Sequence, residues 1–207
     1  KGANFIDEAT SEIVQIDTDL RAVVDLPFGA NETVSITPFS EMALQFIGKA
    51  LGVGREISSR DFIIDATKSY LIFENYDNAA RLVEQVTGVD IISDRVVAAN
   101  DTSRFRPSVI EDIISSDANQ YGLKLAAFSQ LNNGLSANDG IASFISGIDV
   151  NLGEDGVITL NKADAVSAKV DLTEAQETFA FSADILSEQT IGNLVTQKVA
   201  EDVILND

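Results

Sequence analysis

The chain contains no cysteine, no histidine and no tryptophan, and only fourteen lysine and arginine residues stand against thirty-three aspartate and glutamate. Without cysteine there is no disulfide, no thiolate nucleophile and no thiolate metal site. The lack of histidine as well excludes the common zinc sites and the Ser-His and Cys-His catalytic systems. With no tryptophan, the largest aromatic platform for stacking a sugar ring is missing. The shortage of cationic side chains leaves a formal charge of −19 at pH 7. Such a surface repels phosphate backbones and anionic headgroups, so neither nucleic acid nor a membrane surface is an expected partner. No run approaches the roughly 18 apolar residues of a membrane span, so no membrane insertion is expected. The opening Lys1-Gly2-Ala3-Asn4 lacks the basic-then-apolar pattern of a signal peptide; either a signal has been removed or the chain is a piece of a longer one.

What is present is enough to fold. The 207 residues are 45% hydrophobic, which suits a packed core rather than a disordered chain. The stretch from Ser35 to Gly48 organises the rest. Thr37 is a good N-cap, Pro38 fits the first helical position, and Glu41 places negative charge in the first turn. Phe39, Met42, Ala43, Phe46, Ile47 and Ala50 share one helical face. Before this junction, Glu12–Asp17, Leu20–Leu26 and Thr33–Ile36 are short, β-branched and partly alternating, with turn residues at Pro27–Asn31. About three strands make too small a sheet to stand alone, so they must lean on the helices, a neighbouring domain or another chain.

After the junction the patterns are helical. Leu51–Gly54 stops the first helix, and Ile57–Phe73 is ambiguous between helix and strand. Asp77–Thr87 reads as a helix ended by Gly88, and Asn100–Pro107 as a loop before a short helix to Ile114. Asn119–Leu131 is a helix carrying Tyr121, Leu125, Phe128 and Leu131, with small Ala126 and Ala127 allowing close packing. Ser136–Asp139 and Thr173–Gln176 each resemble a capping box, and Thr190 caps a last amphipathic helix. The expectation is a mainly helical α+β protein, with a β-strand segment over residues 1–36 leading into a bundle of about five to seven helices over residues 37–207.

The sharpest local chemical signal is Asp149-Val150-Asn151-Leu152-Gly153-Glu154-Asp155-Gly156. Oxygen-bearing side chains at alternate positions, followed by Asp-Gly, are what calcium asks of a loop, and Asp149, Asn151 and Asp155 are the candidate metal ligands. The spacing departs from an EF-hand, and no terminal bidentate glutamate follows. The competing reading is an ordinary Asp/Asn/Gly turn between two helices. Paired carboxylates could serve a glycosidase, but no pair stands out among thirty-three acids, and nucleophile, phosphate-loop and cofactor motifs are missing, so an enzyme is not expected. Phe39, Phe46, Phe62, Tyr70, Phe73 and Tyr76 could line a ligand groove or, as aromatics commonly do, fill a core.

Three pieces carry a resemblance. Phe5–Thr10 with Leu20-Arg21-Ala22-Val23 is similar to the closing strands of an Ig-like repeat. Ile36-Thr37-Pro38-Phe39-Ser40-Glu41-Met42-Ala43 looks like a Val-Thr-Pro-Leu-Thr-Glu-Leu-Ala junction, and Tyr121–Leu131 like a Tyr-Gly-x-x-Leu-Ala-Ala-Leu-Ser-Gln-Leu helix followed by an Asp-Gly loop. In this order they resemble a helical module that follows Ig-like or cadherin-like repeats in large bacterial extracellular and surface-anchored, adhesin-type proteins. Ser58–Tyr76, Asn100–Ser116 and the helices from Thr173 onward have no counterpart in it. The resemblance implies secretion or display at a cell surface and a non-catalytic structural role, as in a filament, surface layer or adhesin stalk. Its implied partners are copies of itself or neighbouring domains of a longer chain. A ligand-binding adhesin domain that recognises a peptide or glycan is the alternative.

Overall fold

In the computed structural model, the structure describes residues 4–6, 13–15, 20–23, 35–52, 66–94, 117–132, 135 and 137–182. The protein is α+β and mainly α, with five helices among the described residues. These are α1 (Pro38–Ala50), α2 (Ala66–Thr87), α3 (Asp117–Leu131), α4 (Ala137–Ser146) and α5 (Lys162–Ser182). The strands are β1 (Asn4–Ile6), β2 (Ile13–Gln15), β3 (Val150–Leu152) and β4 (Ile158–Leu160). Residues 19–93 and 141–168 form one compact unit, and residues 1–18, 94–140 and 169–207 form another.

The first unit is built on α1. Thr37 has extended backbone and caps the helix with a reciprocal box: its Oγ1 accepts the Ser40 N–H at 3.3 Å, and Ser40 Oγ accepts the Thr37 N–H at 3.0 Å. Pro38 follows at the first position, where a missing N–H costs nothing. Of the predicted face, Phe39, Met42, Ala43, Phe46 and Ile47 are fully buried and Ala50, at the helix end, is half-buried. Leu44 and Gln45 on the other side are buried too, so α1 is enclosed all round rather than on one stripe. It packs against α2 and β3, and α2 packs against β4. The chain leaves α1 through Leu51, and Gly52 then takes a φ of 68°.

Helix α2 starts earlier than the pattern from Asp77 indicated and absorbs the ambiguous stretch from Ala66. It buries Ile72, Asn75, Tyr76, Ala79, Ala80, Val83, Val86 and Thr87 on one face and exposes Glu74, Asp77, Arg81 and Glu84. Gly88 ends it as expected, with a φ of 71° that L side chains rarely adopt and an N–H donated to Glu84 O. Strands β3 and β4 form an antiparallel hairpin that pairs Val150 with Leu160, Asn151 with Thr159 and Leu152 with Ile158. The Asn78 amide on α2 donates to Ile158 O at 2.6 Å, and Ile158 itself is 1% exposed. Lys49, in the last turn of α1, donates through Nζ to the carbonyls of Ile145, Ser146 and Ile148. The ammonium thereby satisfies the open carbonyls where α4 ends.

In the second unit β1 and β2 are antiparallel, with Asn4 opposite Gln15, Phe5 opposite Val14 and Ile6 opposite Ile13. Helix α3 buries Tyr121, Leu123, Ala126, Ala127 and Phe128. Tyr121, Phe128 and the two closely packing alanines are buried as read from the sequence, whereas Leu125 is only half-buried and Leu131 is 43% exposed. Asn132 directly follows α3, its amide donating back to Phe128 O at 2.7 Å. A Cβ on Gly140 would lie 2.9 Å from the Asn132 side chain, so only glycine permits that approach.

The Thr173 capping-box reading is corrected. Thr173 lies inside α5, which runs unbroken from Lys162 to Ser182. Its hydroxyl donates back to Lys169 O at 2.8 Å, a bond available to a helix-interior threonine. The real start is marked by Asn161, whose Oδ1 accepts the Ala163 N–H at 2.9 Å. The short helix opened at Pro107 and the one capped by Thr190 lie outside the described residues.

Candidate functional site

The most developed polar constellation lies where Leu20–Val23, read from the sequence as part of a strand but not forming one in the structure, meets the start of α1. Glu41 is 1% exposed. A carboxylate that deep requires a cation and several donors, because desolvation of an unpaired charge is strongly unfavourable. Arg21 supplies them. Its Nη2 lies 2.6 Å from Oε1, its Nε 3.0 Å from Oε2, and its own backbone N–H donates to Oε2 at 3.1 Å. The planar guanidinium matches both carboxylate oxygens at once, which a lysine ammonium does not. The other side of the same residue is held as well: the Ser40 hydroxyl lies 2.8 Å from the Arg21 carbonyl and 2.8 Å from that of Thr37. Ser40 thus takes part in the capping box and grips the incoming segment.

Tyr76, on α2, completes the joint. Burial raises its phenol above the ordinary tyrosine value of 10.0, a hydrogen bond with the Val23 backbone pulls it the other way, and the charges of Glu41 and Asp77 raise it further. The net direction is upward, so the phenol is held neutral. Residues 20–23 are therefore fastened to α1 through Arg21, and the Tyr76 phenol of α2 lies against the Val23 backbone. The site is a joint: Arg21, Ser40 and Glu41 are bonded to one another within the same unit.

The three candidate calcium ligands are spread along the β3–β4 hairpin. Asp149 precedes β3, where its N–H donates to Asp164 Oδ2 at 3.0 Å and its carbonyl accepts the Asn161 N–H at 3.0 Å. Asn151 sits mid-strand opposite Thr159, and both are exposed. Asp155 is at the other end, in the turn, where its Oδ1 accepts the Val157 N–H at 3.1 Å and Gly156 takes a φ of 79°. Asp149 and Asp155 thus flank the three-residue strand β3, one before it and one in the turn beyond it. Among the described residues no three acidic side chains gather as a metal group.

Of the aromatic residues that could have lined a groove, Phe39, Phe46 and Tyr76 are core residues at 0%, 0% and 6% exposure. Phe62 lies outside the described residues. The role of Arg21 is absent from the sequence patterns, although one signal was available: Glu41 is the sole charge in the apolar run from Phe39 to Gly48, and an isolated acid there calls for a partner.

Fold and site together define a mainly helical α+β protein in which the segment Leu20–Val23 is bolted to the first described helix through Arg21 and Glu41. Comparison with protein-family models, with curated proteins and with solved structures gives no match.

Proposed function

We propose that the chain is a non-catalytic structural and assembly module of a secreted or cell-surface bacterial protein. The observation that carries the reading is the Arg21–Glu41 joint. A buried bidentate ion pair, reinforced by Ser40 and Tyr76, fixes the direction in which the chain enters the helical body. Rigid attachment of an incoming segment is what a stalk or filament unit requires, since neighbouring units must be held at a defined angle. The resemblance of Leu20–Val23 and Ile36–Ala43 to a repeat-to-helix junction agrees with this, because the joint brings those two pieces together.

Calcium belongs to this reading as a stabilising counter-ion. Thirty-three acidic side chains against fourteen cationic ones repel one another, and Asp149 and Asp155 stand exposed on the hairpin. The module reading is tested by light scattering and electron microscopy of the purified chain over a range of concentrations with and without calcium. Self-association into dimers or longer assemblies is expected. A chain that stays monomeric throughout, or that turns over a substrate, removes the proposal.

A further inference from the structure

The two edges of the β3–β4 hairpin are treated differently. The Gly153 N–H donates to Val157 O at 2.8 Å and the Asn161 N–H to Asp149 O at 3.0 Å. Alternation along an antiparallel ladder then turns the backbone groups of Val150 and Leu152 out of one edge and those of Ile158 and Leu160 out of the other. On the β4 edge, Ile158 O is taken by the Asn78 amide of α2. On the β3 edge, no hydrogen bond among the described residues reaches the outward N–H and carbonyl groups of Val150 and Leu152. The apolar layer is unfinished on the same side. Leu152 and Ile158 are cross-strand partners on one face of the hairpin, yet Ile158 is 1% exposed and Leu152 39%. Although α1 packs against β3, it leaves this leucine open. The charge at the edge has one sign: Asp149 before β3 and Glu154 and Asp155 beyond it are exposed, and no lysine or arginine stands between Leu125 and Asn161.

We propose that the β3 edge is a docking site for an extended cationic segment of a partner protein, which adds a third strand beside Val150–Leu152. Its backbone meets the outward groups of Val150 and Leu152, and an apolar side chain on its inner face covers Leu152. Lysine or arginine on its other face meets Asp149, Glu154 and Asp155, because side chains of a strand alternate between two faces. An acidic strand meets like charge there. The proposal goes beyond the assembly reading and does not depend on it.

The probe is a synthetic peptide of alternating lysine and valine, added to the full chain in chelator so that calcium does not neutralise the same acids. Fluorescence anisotropy is expected to show binding, and a glutamate–valine peptide to bind about tenfold more weakly or not at all. Leu152→Pro removes an outward N–H that gives nothing to the β3–β4 ladder, and is expected to weaken the lysine–valine peptide by about tenfold. Leu152→Lys keeps that N–H and sets a cation on the edge, so it is expected to weaken the peptide without proline's constraint on the hairpin. Absence of binding at about 1 mM peptide, equal affinity for the glutamate–valine peptide, or undiminished affinity in both Leu152 variants overturns the proposal. Self-association of the native chain that Leu152→Lys abolishes, with no binding of the peptide, assigns the edge to a second copy; it overturns the cationic partner and leaves the module reading standing. A native chain that stays monomeric yet binds the peptide removes the module reading and upholds the docking edge.

Discussion

The Arg21 guanidinium holds both oxygens of the Glu41 carboxylate, Nη2 to Oε1 at 2.6 Å and Nε to Oε2 at 3.0 Å, across twenty residues of sequence. The carboxylate side chain is 2% exposed and the arginine side chain 23%. Removing one partner of a buried pair costs about 3 to 5 kcal/mol, and the partial exposure of Arg21 places this pair at the low end. Arg21→Met is thus expected to destabilise by about 3 kcal/mol, lowering Tm by about 6–12 °C in a chain of this size. Arg21→Met combined with Glu41→Leu recovers most of the loss, because no buried charge is then left unpaired. Calorimetry of the single and double variants checks this; a loss below about 1 kcal/mol would make the pair equivalent to a surface one.

Tyr76 makes the joint sensitive to alkali. Its folded-state value is raised, first by burial, so the stability tied to its neutral phenol is fully present below the ordinary value of 10.0. It is lost as pH rises from there through the folded-state value, where the unfolded chain ionises more readily. Tyr76→Phe is expected to flatten the alkaline fall in Tm. An unchanged alkaline limb would show that the phenol titrates freely.

Asp90 acts at the acid end. Burial raises it, but the Ser93 hydroxyl and the N–H groups of Ser93 and Ile92 outweigh that and leave it below the ordinary 3.8. Its contribution is present above that ordinary value and disappears as pH falls through the lower, folded-state one. Asp90→Asn should therefore lose less Tm than the native chain over that acid interval. Melting curves at successive acid pH values measure it.

Lys49 caps the end of α4 through the carbonyls of Ile145, Ser146 and Ile148. Favourable charge at a helix C-terminus contributes about 0.3–1 kcal/mol when exposed and about 2 when partly buried. Lys49→Met keeps most of the side-chain volume and is expected to lower Tm by about 2–4 °C per kcal/mol. Hydrogen exchange at the end of α4 should rise with it, and uniform exchange across the unit would contradict the local cap.

Calcium is expected to raise Tm relative to chelator, because a ion bound only by the folded chain stabilises it in proportion to its occupancy. Asp149→Asn/Asp155→Asn should reduce that increment. An identical melting curve in calcium and in chelator removes the ion from the functional reading.

Local signals survived folding well. Thr37, Pro38 and Gly88 mark real helix ends, since a cap or a left-handed stop acts within one turn and needs no distant partner. The Thr173 pattern failed because a threonine can also bond its own helix four residues back, and the burial of Ala168, Leu172 and Ala175 carries α5 through it. The Asp149–Gly156 stretch was legible as a turn, and Gly156 does turn it. That the turn joins two paired strands was not legible, because each strand is only three residues long and shows no full alternation.

The amino-acid sequence alone determined the mainly helical class, the acidic character and the places where α1 begins and α2 ends, all consequences of composition or of residues within a few positions of one another. Only the tertiary structure decided that Arg21 belongs to Glu41, that α1 is enclosed on every side, and that Asp149 and Asp155 stand at opposite ends of a hairpin. Those facts depend on which segments meet in space, and a buried charge finds its partner by desolvation and geometry rather than by distance along the chain.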